Sequence, residues 1–388
     1  MKLVYTHENR LFVGNAHNLL EQAGIPAIWK NEFTSSAIGE VAPISAWPEL
    51  WVLEDADYER ANKIISNAFA SSNLPEWTCT QCKEINEPAF EHCWNCQQEK
   101  TGVCRMKFLL MSMVLICCTG FANAQTLDVM SYNIRCGSCE AIDNPNNWKK
   151  RKYLVAHLIK NHNPDIIGLQ EAEINQVEDL AEMLDDYSWI GVGREDGKEK
   201  GETTAILFRH GRFTLQGQQT LWLSQTPQQV SRGWDAAFRR ILSIAKLTDV
   251  VSKKTLFVFN THFDNEGELA RQESAKFLLA EIAKLDAQDN FVVTGDFNFK
   301  ADSKGYEIIT QTLADAEKIS TTPAAGGNKT FNDFGANKDT DNKIDFVFVK
   351  KNTKVLSHKV DTTVYNNLYP SDHFPVFTKL DLSAPAQQ

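Results

Sequence analysis

Short apolar, strand-like runs at 127–132, 165–169, 255–259, 291–294 and 374–380 punctuate the C-terminal two-thirds of the chain. They are rich in Phe, Val, Ile and Thr, as half-buried sheets prefer. Between them, apolar positions recur at helical spacing. The spacing predicts a helix over 148–162 with Leu154, Val155, Leu158 and Ile159 on one face, and another near 176–184 with Val177, Leu180, Ala181 and Leu184 inward. A third is predicted over about 268–285. Many strands with a few intercalated helices predict an α/β architecture in which two packed sheets are flanked by helices. The first 72 residues read differently. Strands at 3–5, 25–29 and 50–53 alternate with helices at 12–23 and 57–69, and Gly24-Ile25-Pro26 stops the first helix. That order predicts a small α+β, ferredoxin-like module over 1–72.

Polar residues sit at or just beyond the ends of the apolar runs. They are Asn133, Glu171, His262, Asp296 and Asn298, then Asp345, and Asp372 and His373 just ahead of the last run. Side chains gathered at strand ends form a pocket where carboxylates, amides and imidazoles can converge on a metal and a phosphate. Each has an ordinary alternative: Asp296 and Asn298 as turn residues, Asp372 as a strand start, Asp345 as a solvent-facing strand position, His262 as a core histidine. Eight in this order predict a hydrolase.

A length of 388 residues predicts two or three domains. The net charge of −10 divides into about −6 over 1–105 and about −5 over 126–388, so neither half carries the broad basic footprint that nucleic-acid binding leans on. Residues 106–124 read as a signal peptide or anchor. Arg105 and Lys107 lead an apolar stretch over 108–121, and Ala122-Asn123-Ala124 precedes Gln125 as a small-x-small cleavage pattern. That stretch is short for a membrane span. Its internal position implies either two joined reading frames, with Met106 a true start, or an internal anchor. Either way residues 1–105 stay in the cytoplasm and 125–383 is periplasmic or secreted. Over 75–98, the pairs Cys79/Cys82 and Cys93/Cys96 place four thiolates in reach of one Zn²⁺, as a four-cysteine zinc finger. Cys136 and Cys139 can close a small disulfide loop in an oxidising compartment.

Three resemblances follow from these motifs. Met130-Ser131-Tyr132-Asn133, Leu169-Gln170-Glu171, Thr261-His262, Gly295-Asp296-Phe297-Asn298, Ile344-Asp345-Phe346 and Ser371-Asp372-His373 resemble the endonuclease/exonuclease/phosphatase superfamily, in its order and approximate spacing. The resemblance covers 126–383 and implies a four-layer α/β sandwich that hydrolyses phosphate esters with a divalent metal. The runs at 193–197, 221–227 and 233–237 are similar to a secreted bacterial branch. Trp77, Asn86 and the four cysteines resemble a Ran-binding-protein-type zinc finger, whose relatives bind ubiquitin or single-stranded RNA; the partner here stays open. Residues 1–72 resemble small bacterial domains to which a signal-transducing role has been ascribed.

The catalytic resemblance implies residue roles. Glu171 is the metal ligand, since Mg²⁺ or Mn²⁺ favours carboxylate oxygen and water. Asn133 holds the phosphate or a metal-bound water, while Asp296 and Asn298 orient and deprotonate the attacking water. His373 stabilises phosphoryl charge with Asp345 orienting its ring, and Asp372 assists the metal. His262 protonates the leaving oxygen, and Arg240 contacts the phosphate. Arg135 stands where some DNA-repair members carry a carboxylate. The expectation is an exported phosphoesterase acting on phosphodiesters, in nucleic acid or in a phosphorylated small molecule or lipid. The alternatives are a phospholipid or sugar-phosphate headgroup enzyme, or a zinc-finger binding module carrying an inactive passenger.

Overall fold

In the computed structural model, which describes residues 1–7, 10–30, 47–69, 77–78, 85–86, 126–141, 144–365 and 367–382, the chain divides into two compact units, Met1–Phe121 and Ala122–Gln388. Cys79, Cys82, Cys93 and Cys96, and the segment 106–124, lie outside the described residues.

The smaller unit follows the expected order: β1 (Lys2–Thr6), α1 (Arg10–Gln22), β2 (Ala27–Lys30), β3 (Glu49–Val52) and α2 (Tyr58–Phe69). β3 is central and pairs antiparallel with both β1 and β2. Val13, Ala16 and Leu20 of α1 and Ala61 and Ile65 of α2 close over Leu50 and Val52. A full ferredoxin-like unit has four strands; this sheet has three among the described residues. β4 (Trp77–Thr78) and β5 (Ile85–Asn86) pair with each other.

The larger unit holds two six-stranded sheets. Its elements run β6 (Thr126–Asn133), α3 (Trp148–His162), β7 (Ile166–Gln170), α4 (Ile174–Met183), β8 (Tyr187–Ile190), β9 (Ile206–Arg209), β10 (Phe213–Trp222) and β11 (Ile241–Asp249). They continue with β12 (Thr255–His262), α5 (Glu268–Ile282), β13 (Asn290–Asp296), α6 (Lys304–Thr310) and β14 (Leu313–Asp315). The short strands β15 (Asn328–Lys329) and β16 (Asp341–Asn342) precede β17 (Asp345–Lys350), β18 (Lys354–Val360) and β19 (Val376–Asp381). One sheet has the order β18-β19-β6-β7-β9-β8 and the other β10-β11-β12-β13-β17-β14. Each contains one parallel pair, β6/β7 and β12/β13, joined by a crossover helix, α3 and α5; all other neighbours are antiparallel.

Residue period sets what each face sees. Leu127 and Val129 of β6, Ile166 of β7, Leu256 and Val258 of β12, Val292 of β13, and Val347 and Val349 of β17 meet in the core between the sheets. Their alternates face outward. Met130, Tyr132, Ile167 and Leu169 pack under α3 and α4. Phe259, Val293, Phe346 and Phe348 pack under α5. The result is four layers, helices, sheet, sheet, helices. β17 is buried along almost its whole length, so Asp345, at 1 % exposure, is an interior residue rather than a solvent-facing one. α4 starts earlier than the apolar spacing alone predicts, because Glu173 and Gln176 form a capping box at its N-terminus.

Followed towards one end, the inward positions turn from apolar to polar. Ser131, Gln170, Asn260 and Thr294 continue the same faces and bond one another across the gap. Asn260 Nδ2 also donates to the Leu169 and Ala205 carbonyls at 2.7 and 2.9 Å. The sheets approach closely here because Gly168 lacks a side chain: a Cβ would overlap Thr294 Oγ1 and lie 2.6 Å from Asn260 Oδ1. Gly168→Ala should therefore lower the stability of the larger unit by about 1–3 kcal/mol, as overpacking does. The urea midpoint of that unit reads the effect; an unchanged midpoint would show that the approach is not tight.

Candidate active site

The two parallel pairs end in register. Asn133 lies opposite Gln170 at the end of β6/β7, and His262 opposite Asp296 at the end of β12/β13. Asp345 opens β17 opposite Asp296, and His373 lies three residues before β19. The carboxyl ends of the parallel strands therefore deliver five of the eight predicted positions to one edge, and the starts of β17 and β19 deliver the other three, the common location of ligand sites in such sheets.

Backbone strain marks the same edge. Glu171, Arg135 and Asn298 all adopt left-handed backbone, with φ of 57°, 57° and 50°. A charged side chain in that region is uncommon, and surrounding bonds must hold it there. They do. Arg151 of α3, 2 % exposed, donates to the carbonyls of Ile134 and Pro370 at 2.8 Å, and to that of Arg135 at 3.3 Å. Ser371 Oγ donates to the Asn133 carbonyl at 2.7 Å. The loops after β6 and before β19 are thus tied together. Cys136 and Cys139 are disulfide-bonded. Gln176 accepts from Gly137 N at 2.7 Å, which clamps the disulfide loop onto the start of α4, and Cys136 N donates to Glu171 Oε2 at 3.4 Å.

One oxygen lies at the centre of the cluster. Asp296 Oδ2 accepts from Asn133 Nδ2 at 2.9 Å, with His262 Nε2 at 3.6 Å and His373 Nε2 at 3.8 Å. Asn133 Nδ2 also reaches Glu171 Oε1 at 3.1 Å. Asp296 Oδ1 accepts from Asn298 N at 3.0 Å, and Asn298 Nδ2 donates to the Phe263 carbonyl, which fixes the turn. His373 Nδ1 lies 2.8 Å from Asp345 Oδ2. Arg135 lies 3.7 Å from Glu171 and 3.6 Å from Asp372. All eight predicted strand-end residues except Asp372 are thus linked to Asp296 directly or through one neighbour, and Asp372 joins through Arg135. Arg240 is buried at 5 % exposure, and its guanidinium faces protein groups: Asp264, His262 and Asn265.

Burial and crowding set the electrostatics. Burial, with the Asp345 charge behind it, pushes the Asp296 carboxyl up to about 7. Burial and Glu171 push Asp372 up to about 6. Glu171 is held below the usual carboxylate range: burial acts to raise it, but the His373 charge and the Asn133 hydrogen bond outweigh that. His373 is pushed up to about 10, because Asp345, Asp296 and Asp372 outweigh the effect of burial. His262 moves the opposite way, through burial and the charges of Arg240 and Arg194. Carboxylates whose pKa values rise together are packed more densely than their counter-charges.

A divalent cation suits that arrangement. Ligand atoms of Glu171, Asp296 and His373 lie within 4.8 Å of one another. The two carboxylates offer the oxygen that a hard cation seeks, and the Asn133 Nδ2 group hydrogen-bonds to both.

Several participants carried no sequence signal of their own. Glu202, following the run at 193–197, lies 2.6 Å from Arg194 and 3.7 Å from His262 Nδ1. Burial and Glu171 push it up to about 7. Asp264 collects the backbone N–H groups of Ala237, Phe238, Glu266 and Gly267. Its position two residues after His262 was the available clue.

Residues 130–373 match the model of the endonuclease/exonuclease/phosphatase family, and residues 1–68 match one described as "putative prokaryotic signal transducing protein". Among solved structures, an endonuclease/exonuclease/phosphatase from Bacteroides vulgatus is 37 % identical, with a TM-score of 0.63 over 66 % of this chain and 99 % of its own. The Bacteroides thetaiotaomicron mannosyl-6-phosphatase is 34 % identical, with a TM-score of 0.61 over 66 % and 99 %. An uncharacterized protein of Acanthamoeba polyphaga mimivirus is 25 % identical over 272 residues, 64 % of this chain and 98 % of the relative.

The His373 pairing has a pH signature. Its folded pKa of about 10 exceeds the unfolded value of about 6.5, so the folded protein keeps a proton that the unfolded chain has lost. That contribution is complete below pH 6.5 and disappears as the pH rises through about 10. Metal-free protein in chelator should lose thermal stability from pH 7 to 10, and Asp345→Asn should flatten the slope. Equal slopes in the two proteins would disprove the pairing.

Proposed function

The chain belongs to the endonuclease/exonuclease/phosphatase family, and we propose that its larger unit is a divalent-metal-dependent phosphoesterase that cleaves phosphodiester bonds. The observation that supports this most is the meeting of Glu171, Asp296 and His373 within 4.8 Å, with Asn133 and His262 around the same Asp296 oxygen. Mg²⁺ or Mn²⁺ is the expected ion. When bound, it supplies Lewis-acid polarisation of the phosphoryl group and an acidified water.

Glu171 would hold the ion, with Asp372 assisting. Asp296, braced by the Asn298 backbone, orients the attacking water and accepts its proton. Asn133 positions the phosphate from one side without adding charge. His373 is an imidazolium whose Nδ1–H is held by Asp345, so its Nε2–H faces the phosphoryl oxygens and stabilises their growing charge. His262 acts on the ester from the opposite side. This complete set weighs against an inactive passenger.

A second reading moves the substrate to a sugar phosphate. The mannosyl-6-phosphatase relative, at 34 % identity, supports it. Zn²⁺ is assigned to Cys79, Cys82, Cys93 and Cys96 on their spacing, with the finger's partner open. The segment 106–124 would export 125–383 to the periplasm or beyond and leave 1–105 cytoplasmic. The Cys136–Cys139 bond supports export, since disulfides persist in oxidising compartments.

The test is an assay panel of bis-p-nitrophenyl phosphate, mannose 6-phosphate, DNA, RNA and sphingomyelin, with Mg²⁺, Mn²⁺ or chelator. Turnover with metal and its loss in chelator are expected. Glu171→Gln and His373→Ala should each lower kcat by about 10²-fold or more with the fold intact by circular dichroism. The reading fails if no phosphate ester turns over with any metal.

A further inference from the structure

The two histidines of the site are held by opposite kinds of partner. His373 Nδ1 faces the Asp345 carboxylate at 2.8 Å. His262 Nδ1 faces Arg240 Nη1 at 3.0 Å. A guanidinium has donors and no acceptor. The bond between them therefore has one sense: Arg240 donates, and His262 Nδ1 accepts with its lone pair. An imidazole that accepts at Nδ1 carries its proton at Nε2. That nitrogen is the one aimed at the Asp296 carboxylate, 3.6 Å away, beside Asn133 Nδ2 and His373 Nε2.

Arg240 has little freedom to do otherwise. Nη2 donates to Asn265 Oδ1 at 2.9 Å, and Nε lies 3.4 Å from Asp264 Oδ2. Asp264 is itself fixed by four backbone N–H groups. Glu202, paired with Arg194 at 2.6 Å, stands 3.9 Å from Arg240 Nη1. The ring of Phe238 lies over both guanidinium groups, at 5.3 and 5.4 Å. Arg240, Asp264 and His262 are buried, at 5, 1 and 6 % exposure, while Phe238 stays partly open to solvent.

We infer that Arg240 is a positioning residue that locks His262 as the neutral Nε2–H tautomer, so that His262 donates a hydrogen bond to an oxygen of the bound phosphate ester. The ring keeps its proton throughout. This departs from both sequence expectations, the proton transfer by His262 and the direct phosphate contact by Arg240, and it rests on the phosphoesterase reading for its substrate. His262 becomes a fixed electrophile, and a hydrogen bond of that kind is strongest on an oxygen that gains negative charge.

The tautomer is read without turnover. Full-length protein labelled with ¹⁵N-histidine gives ring signals for His262, assigned by their loss in His262→Gln. Wild type and Arg240→Lys, which keeps a donor at this position, should show protonation at Nε2 alone. Arg240→Met should show Nδ1–H or a mixture. In kinetics, Arg240→Met should lower kcat by about 10²-fold with KM within about twofold, and Arg240→Lys should recover most of the loss. A residue that contacts phosphate would instead raise KM. Wild-type His262 protonated at Nδ1, or at both nitrogens, overturns the inference, and this result needs no variant to fold. A tautomer unchanged in Arg240→Met overturns it too. Wild type inactive on every ester while the Nε2–H signal holds would refute the phosphoesterase reading and leave the positioning intact.

Discussion

A residue period of two, carried through two facing sheets, is the constraint on which the site depends. Every second side chain of a strand points the same way, so the inward face that supplies Leu127 and Val129 must continue into Ser131 and Asn133. The same holds for Val258, Asn260 and His262, and for Val292, Thr294 and Asp296. Changing register by one residue would send Asn133, His262, Asp296 and Asp345 to the helix-covered faces. The apolar half of each strand therefore fixes where its polar half appears, and the hydrophobic core acts as the jig for the chemistry.

That arrangement forces polar groups into an interior where unpaired ones are costly. The chain resolves this in two tiers. Deeper in, Gln170, Asn260 and Thr294 bond one another and nearby carbonyls, a neutral network between the sheets. Above it lies the charged tier. Pairing is incomplete in both, since Gln170 Oε1 and Asp345 Oδ1 have no hydrogen-bond partner among the described residues. In the charged tier, Asp296 rises to about 7. The neutral tier closes the sheets, and the charged tier is left short of positive charge at the position where a cation fits.

Much of this was legible in the sequence, for a definite reason. Asn133, Glu171, His262, Asp296 and Asn298 sit at the ends of strongly apolar runs, and the end of a run is readable without knowing its neighbours. The helix at 148–162 was equally readable, and its observed bounds, Trp148–His162, coincide with the spacing. What escaped depended on contacts between distant segments. β10 is mostly exposed and reads Phe-Thr-Leu-Gln-Gly-Gln-Gln-Thr-Leu-Trp, too polar for an apolar run. Glu202, Arg194 and Asp264 acquire their significance only when the segment near 193–202 meets the ends of β11 and β12. Arg240 was visible as a residue, but its orientation toward His262 was not.

Arg135 shows how one such contact shapes the charge distribution. Its left-handed backbone places the guanidinium between Glu171 and Asp372, within 3.7 Å of both. Those carboxylates therefore already share a fixed cation on one side. Asp296 faces an amide, the His262 imidazole at 3.6 Å and the His373 imidazolium at 3.8 Å. Burial and the Asp345 charge raise Asp296, and burial and Glu171 raise Asp372, each against the opposing charge of His373. The cluster thus holds more carboxylate than fixed positive charge, and a bound divalent cation would offset that excess and favour the ionised form of each.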